Sequence, residues 1–141
     1  MIRTFLTTSP EMTSQIAFEL GSEAGAGDCY ALIGDLGSGK TLFAKAFAKG
    51  MGIKEEITSP TFTLLEEYEG SIPFYHFDLY RIAEASELDA LFFEEYWEGD
   101  GVSLIEWADK AGNRLPPDAV RICFEYVDAM SRRMTIEYPD D

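Results

Sequence analysis

The chain has 141 residues, of which 46% are hydrophobic and 13% aromatic, and this suits one folded domain with a core of its own. Its 26 Asp and Glu residues against 11 Lys and Arg leave a formal net charge of -15, which disfavours autonomous nucleic-acid binding. The single histidine excludes a multi-histidine metal site. Because no apolar run reaches the roughly eighteen residues that span a bilayer, we expect a soluble, cytoplasmic α/β protein in which Cys29 and Cys123 are buried, reduced thiols.

The first two predicted elements are an edge strand over residues 3–7 and a helix after it. Residues 8–11, Thr-Ser-Pro-Glu, combine a hydroxyl, an early proline and an acid three residues after Thr8, a pattern typical of a helix start. The helix is expected to end at Gly21 or at the later Gly25 and Gly27. Its predicted apolar face consists of Met12, Ile16, Ala17 and Leu20.

Residues 34–41, GDLGSGKT, match the phosphate-binding pattern G-x-x-x-x-G-K-[ST] at every fixed position. An apolar run of strand type precedes them at 29–33, and helix formers follow at 42–49, so the loop leads into a helix N-terminus that favours anions. We expect Lys40 to bind the β and γ phosphates and Thr41 to bind Mg²⁺. The residues predicted to bind the triphosphate are Gly34, Leu36, Gly37, Ser38, Gly39, Lys40 and Thr41.

A segment rich in hydroxyl groups follows the loop helix and consists of Thr58, Ser59, Pro60, Thr61 and Phe62. Pro60 keeps the residue before it away from helical backbone angles. Two interpretations are equally supported by these residues. The segment is either a polar connection into an apolar strand or a switch loop that senses the γ-phosphate and its metal.

A hairpin with its turn at residues 69–71 and a returning strand at 73–81 is predicted next. Period-two alternation divides the returning strand into a core face and a face that carries chemistry or solvent. The core face holds Tyr75, Phe77 and Leu79, and the other face holds His76, Asp78 and Tyr80.

One continuous helix is then predicted from a cap at Ser86 to an end at Gly99. Its first turn is acidic, as a helix N-terminus favours. The apolar positions that recur at helical spacing are Leu88, Leu91, Phe92 and Tyr96.

Residues 102–107, VSLIEW, predict a buried strand that ends in a carboxylate. A parallel strand beside the loop strand delivers its terminal acid to the Mg²⁺ shell, so we assign the metal to Glu106. Asp78 competes for this role, but Pro73 and His76 give its strand the character of an edge strand or a hairpin partner. Asp78 is therefore the candidate for orienting water or gating the switch loop.

Two strands, at residues 119–126 and 134–138, are predicted to close the chain. The segment 128–133 joins them and contains Arg132 and Arg133. Paired arginines beside a turn usually face solvent, although in so acidic a chain they are also candidates for contacting phosphate or a partner.

Four segments in this order, 34–41, 58–62, 76–81 and 105–107, resemble the bacterial TsaE (YjeE) family, the ATPase of tRNA threonylcarbamoyladenosine biosynthesis. The resemblance covers essentially the whole chain. It implies a single three-layer P-loop domain over residues 1–141, with a mixed, largely parallel sheet flanked by helices. It also implies an ATPase that joins the TsaB and TsaD proteins, whose complex transfers a threonylcarbamoyl group to adenosine 37 of certain tRNAs. ATP turnover would reset that complex, and this protein would contact tRNA only indirectly.

The resemblance also implies roles for single residues. Thr41 and Glu106 would bind Mg²⁺, Lys40 would bind the phosphates of ATP, and Asp78 would support hydrolysis. Trp107 would lie close to the nucleotide. Two further residues, Glu11 and Arg132, resemble nucleotide contacts of the family.

Three other functions share the phosphate loop. A small-molecule kinase usually needs a basic lid for a second phosphorylated substrate, and no arginine-rich lid segment is visible. A GTPase would carry an Asn-Lys-x-Asp motif, which Asn113-Arg114-Leu115-Pro116 is not. A nucleotide-sensing module that hydrolyses nothing remains open, because no motif guarantees a positioned water.

Overall fold

The computed structural model of the chain describes residues 1–34, 39–58, 60 and 63–139. The strands are β1 (Ile2–Thr7), β2 (Cys29–Gly34), β3 (Leu65–Tyr68), β4 (Phe74–Asp78), β5 (Val102–Glu106), β6 (Val120–Tyr126) and β7 (Arg132–Glu137). The helices are α1 (Pro10–Glu23), α2 (Lys40–Gly50), α3 (Glu87–Leu91) and α4 (Phe93–Trp97), followed by a 3₁₀ segment (Ala108–Arg114). The α/β class and the strand and helix on either side of the phosphate-binding pattern are confirmed.

The strands form one seven-stranded sheet in the order β1-β7-β6-β2-β5-β4-β3. β2 lies at its centre, with β5 and β6 parallel to it on either side, and β4 is parallel to β5. β3 and β7 run the opposite way, antiparallel to β4 and β6. The predicted mixed, largely parallel sheet is confirmed, and β2, β5 and β4 all end at the same edge.

Helices cover both faces of the sheet, as a three-layer fold requires. On one face, α1 and α2 pack on side chains of the central strands, among them Tyr30, Leu32, Leu104 and Ile122. On the other face, α3, α4 and the 3₁₀ segment pack on a second cluster that includes Ala31, Phe77 and Ile105. Because successive strand residues point to opposite faces, the central strands are buried on both.

The helix α1 begins one residue later than its Thr8 cap would place it. Ser9 is the cap, its Oγ accepts a hydrogen bond of 3.2 Å from the Met12 amide, and Pro10 is the first helical residue. The predicted face is also wrong in part, because Met12 is 41% exposed and Thr13 is buried instead. Gly21 does not end the helix, which continues to Glu23.

Gly21 has a packing role inside α1. A Cβ at this position would overlap the carbonyl oxygen of Phe47 in α2. The reciprocal contact involves Gly50 of α2, where a Cβ would overlap the carbonyl oxygen of Phe18 in α1. The two helices therefore approach each other to backbone distance, which only glycine permits at these positions.

The single helix predicted between Ser86 and Gly99 is wrong. The segment forms two five-residue helices, α3 and α4, joined at Phe92, whose φ of 58° is left-handed. Leu88 is buried, but Leu91 and Phe92 are 39% and 64% exposed. The Ser86 side chain makes no capping hydrogen bond.

β4 is not an edge strand, because it lies between β3 and β5, but the alternative expectation of a hairpin partner is confirmed by its antiparallel pairing with β3. The predicted division of its side chains between two faces holds, but neither face is open to solvent within the strand. His76 is 0% and Asp78 3% exposed. Among the six side chains assigned to the two faces, the exposed one is Tyr80, which lies beyond the end of β4.

The two cysteines are free thiols in different surroundings. Cys29 in β2 is buried as predicted, and burial raises the pKa of its thiol to about 12, so the thiol stays protonated at neutral pH. Cys123 in β6 is only partly buried, which corrects the expectation for this residue. No helix within the described ranges is long and apolar enough to cross a bilayer.

Candidate functional site

The candidate site lies where β2, β5 and β4 end at a common edge of the sheet. β2 ends at Gly34, the first residue of the phosphate-binding pattern, and the pattern continues into α2 at Lys40. β5 ends at Glu106 and β4 at Asp78, and these two acids are register partners. In a doubly covered parallel sheet, this carboxyl edge is where ligands bind.

The start of α2 has the geometry of an anion site. Gly39 precedes the helix with a φ of 108°, a left-handed conformation that glycine adopts without strain, and no side chain caps the helix. Lys40 is buried, and its Nζ donates a hydrogen bond of 2.5 Å to the carbonyl oxygen of Gly34. The ammonium group is therefore held at the mouth of the loop.

Glu106 is the most connected acid at this edge. It is 2% exposed, its Oε1 accepts a hydrogen bond of 3.2 Å from the Thr41 hydroxyl, and its Oε2 lies 2.6 Å from Nε2 of His76. The carboxylate thus joins the first turn of α2 to strand β4. The predicted meeting of Thr41 and Glu106 is found in the structure.

Asp78 lies beside Glu106 but has a different surrounding. Its Oδ1 accepts a hydrogen bond of 2.9 Å from the backbone amide of Tyr80, which shapes the turn out of β4. Its own amide donates to the carbonyl oxygen of Leu64 at 3.0 Å, at the entry to β3. Asp78 therefore connects the candidate site to the chain that follows the predicted switch loop.

Trp107 directly follows Glu106 and turns the chain with a left-handed φ of 57°. Nζ of Lys40 lies 4.0 Å from the centroid of a Trp107 ring, within the range of a cation–π contact. The Tyr80 ring packs beside the indole, with a centroid distance of 5.1 Å. Trp107 therefore contacts the lysine of the phosphate-binding pattern, and its expected position close to the nucleotide stays a prediction.

The oxygen atoms at this site suit a hard divalent cation whose remaining ligands are water and phosphate oxygens. The Thr41 hydroxyl and the Glu106 carboxylate supply neighbouring oxygen atoms, and Mg²⁺ is typically held by one or two such groups together with substrate phosphates. Within the described ranges, no three His, Cys, Asp or Glu side chains come together as a metal cage. The residues present therefore fit a metal that arrives with a nucleotide.

The predicted switch loop is only partly described. The amide of Thr58 donates a hydrogen bond of 3.3 Å to the Tyr68 hydroxyl, and the carbonyl oxygen of Pro60 accepts one of 2.6 Å from Leu64. Leu64 has a left-handed φ of 68°. The predicted site residues that lie outside the described part of the chain are Leu36, Gly37 and Ser38 in the phosphate loop, and Ser59, Thr61 and Phe62 in the switch loop.

Glu11 and Arg132 lie on the α1 side of the phosphate loop. Arg132 lines a small cavity together with Ser9, Gly39 and Met130, so it borders the loop directly. Glu11 lines a neighbouring groove between α1 and α2 and is not among the residues of that cavity. The structure therefore brings Arg132 to the loop and leaves Glu11 further along the helix pair.

His76 was assigned no role from the sequence, although its side chain contacts the Glu106 carboxylate. The pattern contained a usable signal. His76 shares a strand face with Asp78, and Asp78 was expected at the same sheet edge as Glu106. The shared face is all that the pattern gives, because it is the pairing of β4 with β5 that brings His76 within reach of Glu106.

Comparison with known proteins agrees with this fold. The family model described as "Threonylcarbamoyl adenosine biosynthesis protein TsaE" matches residues 7–134. A tRNA threonylcarbamoyladenosine biosynthesis protein TsaE of Bacillus subtilis is 42% identical over 130 residues, which are 92% of this chain and 81% of that protein. The protein of the same name from Treponema pallidum is 37% identical and covers 93% of this chain and 97% of its own length.

A solved structure resembles the whole fold. The crystal structure of Bacillus subtilis YdiB superposes with a TM-score of 0.81 and 37% sequence identity, covering 99% of this chain and 87% of that one. The family match and the identities extend over the strands that carry Gly34, Asp78 and Glu106. The chain therefore belongs to the TsaE family of threonylcarbamoyl adenosine biosynthesis proteins.

Proposed function

We propose that this protein binds and hydrolyses ATP with Mg²⁺, as a single ATPase domain, and that its turnover resets a TsaB–TsaD assembly that modifies adenosine 37 of tRNA. The observation that carries the proposal is the contact between the Glu106 carboxylate and the Thr41 hydroxyl, next to the buried ammonium of Lys40. These are an acid, a hydroxyl and a cation at the end of a glycine loop, which phosphoryl transfer requires together.

Each residue has a distinct task in this proposal. Lys40 and the backbone amides at the start of α2 bind the phosphate oxygens, together with the other residues of the phosphate-binding pattern. Thr41 and Glu106 would hold Mg²⁺, which offsets the negative charge of the phosphates. Asp78, beside Glu106 at the sheet edge, orients the attacking water, and Thr58 to Phe62 respond to the γ-phosphate.

The nucleotide pocket extends toward α1. Arg132 borders Gly39 in the cavity on that side, and its charge suits a phosphate or a base edge there. Glu11 is the weaker of the two proposed contacts because it lines the neighbouring groove instead.

The partners follow from the family and from the charge of the chain. Relatives are named for threonylcarbamoyladenosine biosynthesis, and a net charge of -15 makes direct tRNA binding unfavourable. Contact with protein partners, and with tRNA only through them, is consistent with both observations.

The decisive experiment measures phosphate released from ATP by the protein alone and with TsaB and TsaD. We expect slow release alone and faster release with both partners. Transfer of the phosphate to a small acceptor would instead support a kinase. Nucleotide binding without any phosphate release under either condition would support a sensing module.

Two substitutions test the residue roles. Lys40→Ala should abolish ATP binding, whereas Lys45→Ala, an exposed lysine on the same helix, should leave it unchanged. Glu106→Ala should lose Mg²⁺-dependent turnover, and normal turnover in this variant would move the metal to Asp78 or elsewhere. A change in tryptophan emission on nucleotide binding should disappear in Trp107→Phe, because Trp107 lies against Lys40, whereas Trp97 is buried within the core cluster below α3 and α4.

A further inference from the structure

His76 is a fully buried polar side chain of β4. It is the single histidine of the chain, it is 0% exposed, and its ring stacks on Phe74 with a centroid distance of 6.1 Å and an interplanar angle of 18°. Burying an imidazole needs hydrogen-bond partners that an apolar side chain would not need. The identity of those partners therefore shows what the histidine contributes.

The polar contact of His76 goes to one group. Nε2 lies 2.6 Å from Oε2 of Glu106, and because a carboxylate oxygen only accepts, Nε2 carries the hydrogen. Within the described part of the chain, Nδ1 has no hydrogen-bond partner. A histidine that served only to pack would be expected to have hydrogen-bond partners at both ring nitrogens. The single hydrogen bond to Glu106 therefore indicates that the ring is placed to contact the carboxylate.

The contact fixes how Glu106 presents its two oxygens. Oε2 is occupied by His76, and Oε1 is left facing the Thr41 hydroxyl at 3.2 Å. His76 lies on β4 and Thr41 on α2, so the carboxylate is held from a neighbouring strand on one side and from the loop helix on the other. A rotation about the last bond of Glu106 would break both hydrogen bonds.

We infer that His76 is a positioning residue that holds the Glu106 carboxylate so that Oε1 is available to a Mg²⁺–nucleotide complex at Thr41. The inference rests on the proposed function, because it concerns the acid that was assigned to the metal. His76 touches neither phosphate nor metal in this proposal. It acts by limiting the orientations of Glu106, as partners of metal-binding side chains commonly do.

Two amide substitutions separate this role from packing. In His76→Gln the side-chain amide nitrogen can take the place of Nε2, whereas in His76→Asn it can take only the place of Nδ1 and does not reach Glu106. Isothermal titration with ATP is carried out in a chelator and at a series of free Mg²⁺ concentrations. We expect the Mg²⁺ concentration for half-maximal enhancement of ATP binding to rise about tenfold in His76→Asn and to stay within about threefold of the wild type in His76→Gln.

ATP affinity in the chelator should be the same for all variants, because no metal is then held. His76→Phe keeps the ring beside Phe74 but no donor, and it should match His76→Asn, which preserves the test if the Asn variant does not fold. Ser103→Ala is the matched control, since Ser103 is 1% exposed on β5 and its hydroxyl has no hydrogen-bond partner within the described ranges. This variant should show the wild-type Mg²⁺ dependence.

The outcomes distinguish the inference from the function beneath it. If the wild type shows no effect of Mg²⁺ on ATP binding, both the proposed metal site and the role of His76 are overturned. If the wild type responds to Mg²⁺ and His76→Asn or His76→Phe responds equally, only the positioning role is overturned. A lower melting temperature with an unchanged Mg²⁺ dependence would likewise make His76 a packing residue.

Discussion

The two faces of the sheet are covered in different ways. On one face, α1 and α2 have 14 and 11 residues and approach each other to backbone distance through Gly21 and Gly50. On the other face, α3 and α4 have five residues each and meet at the exposed, left-handed Phe92. One face is thus built from regular helices in close contact, and the other from short pieces with interrupted backbone.

Backbone strain follows the same division. Three non-glycine residues have a positive φ in the described part of the chain: Leu64, Phe92 and Trp107. Each such residue stores strain of about 1 kcal/mol or more. None lies in α1 or α2, while Leu64 and Trp107 pack against the core cluster of the second face.

The contrast between the two faces of the sheet indicates which parts of the site are fixed by packing. Lys40 and Thr41 begin α2, so their positions depend on the close pairing of the two long helices. Trp107 and Leu64 lie on chain segments whose conformations depend on strained single residues. We therefore expect Lys40 and Thr41 to be held rigidly and the segments around Trp107 and Leu64 to adapt more readily.

The largest effect is expected for Gly21→Ala, which tests the close pairing of α1 and α2. A glycine within a helix normally gains up to about 1 kcal/mol on substitution by alanine. Here the added Cβ would overlap the backbone of Phe47, so the variant should lose at least about 3 kcal/mol in the free energy of unfolding. Urea denaturation measures this loss.

Gly25→Ala is the control for that substitution. The nearest atom to a Cβ at Gly25 is Oδ2 of Asp28 at 3.9 Å, and its backbone is not left-handed. We expect this variant to unfold at the wild-type urea concentration. An equally stable Gly21→Ala protein would show that the two helices can separate, and the contrast between the faces would then be lost.

The second prediction concerns the break between α3 and α4. A continuous amphipathic helix would make Leu88 and Leu91 comparable core residues, but Leu88 is fully buried and Leu91 is 39% exposed. Leu88→Ala should therefore cost about 2.5 kcal/mol of unfolding free energy, and Leu91→Ala less than about 1 kcal/mol. Equal losses of unfolding free energy for the two variants, measured by urea denaturation, would instead support a single continuous helix on this face.

The sequence predicts well what depends on local chemistry and on period. The strand and the helix that flank the phosphate-binding pattern, the alternation in β4, and the strand ending at Glu106 all come from contacts between near neighbours in the chain. Alternation also gives the right faces for His76 and Asp78. Their burial could not be predicted in this way, because it depends on β5 pairing with β4 from a distance in sequence.

The errors arise where tertiary packing decides between local alternatives. Glycine is typical of a helix end, yet Gly21 lies inside α1, where it contacts the backbone of α2. Phe92 has the spacing of a core position, yet a left-handed turn moves it to the surface. The His76–Glu106 hydrogen bond needs the order of strands in the sheet, which no pattern along the chain contains.

The third prediction reverses the first. Phe92 holds a left-handed conformation that glycine adopts without strain, and its side chain is 64% exposed. Phe92→Gly should keep or raise the free energy of unfolding, by up to about 1 kcal/mol, because relief of strain is opposed by the greater freedom of glycine in the unfolded chain. A loss above about 2 kcal/mol would mean that the exposed ring makes a stabilising contact.

The smallest effect is expected at the turn between β6 and β7, next to the cavity beside Gly39. Oδ1 of Asp128 accepts hydrogen bonds from the amides of Met130 and Ser131 at 2.9 and 2.8 Å. The Met130 amide, followed by Ser131, lowers the pKa of this carboxyl below its ordinary value of 3.8. Because the pKa is lower in the folded state, the ionised carboxylate stabilises the native protein above about pH 4, and this contribution is lost as the pH falls through the folded pKa.

Asp128→Asn keeps an acceptor oxygen in the turn but removes the charge. Its melting temperature should fall slightly below that of the wild type at neutral pH and converge with it in acid, whereas Asp100→Asn, an exposed acid outside the turn, should not show this pattern. Thermal melts at several pH values measure the convergence. A pH-independent difference would mean that the turn is held by shape alone. In that case the position of β7, the strand that carries Arg132, would depend on packing against α1 and α2 and not on the charge of Asp128.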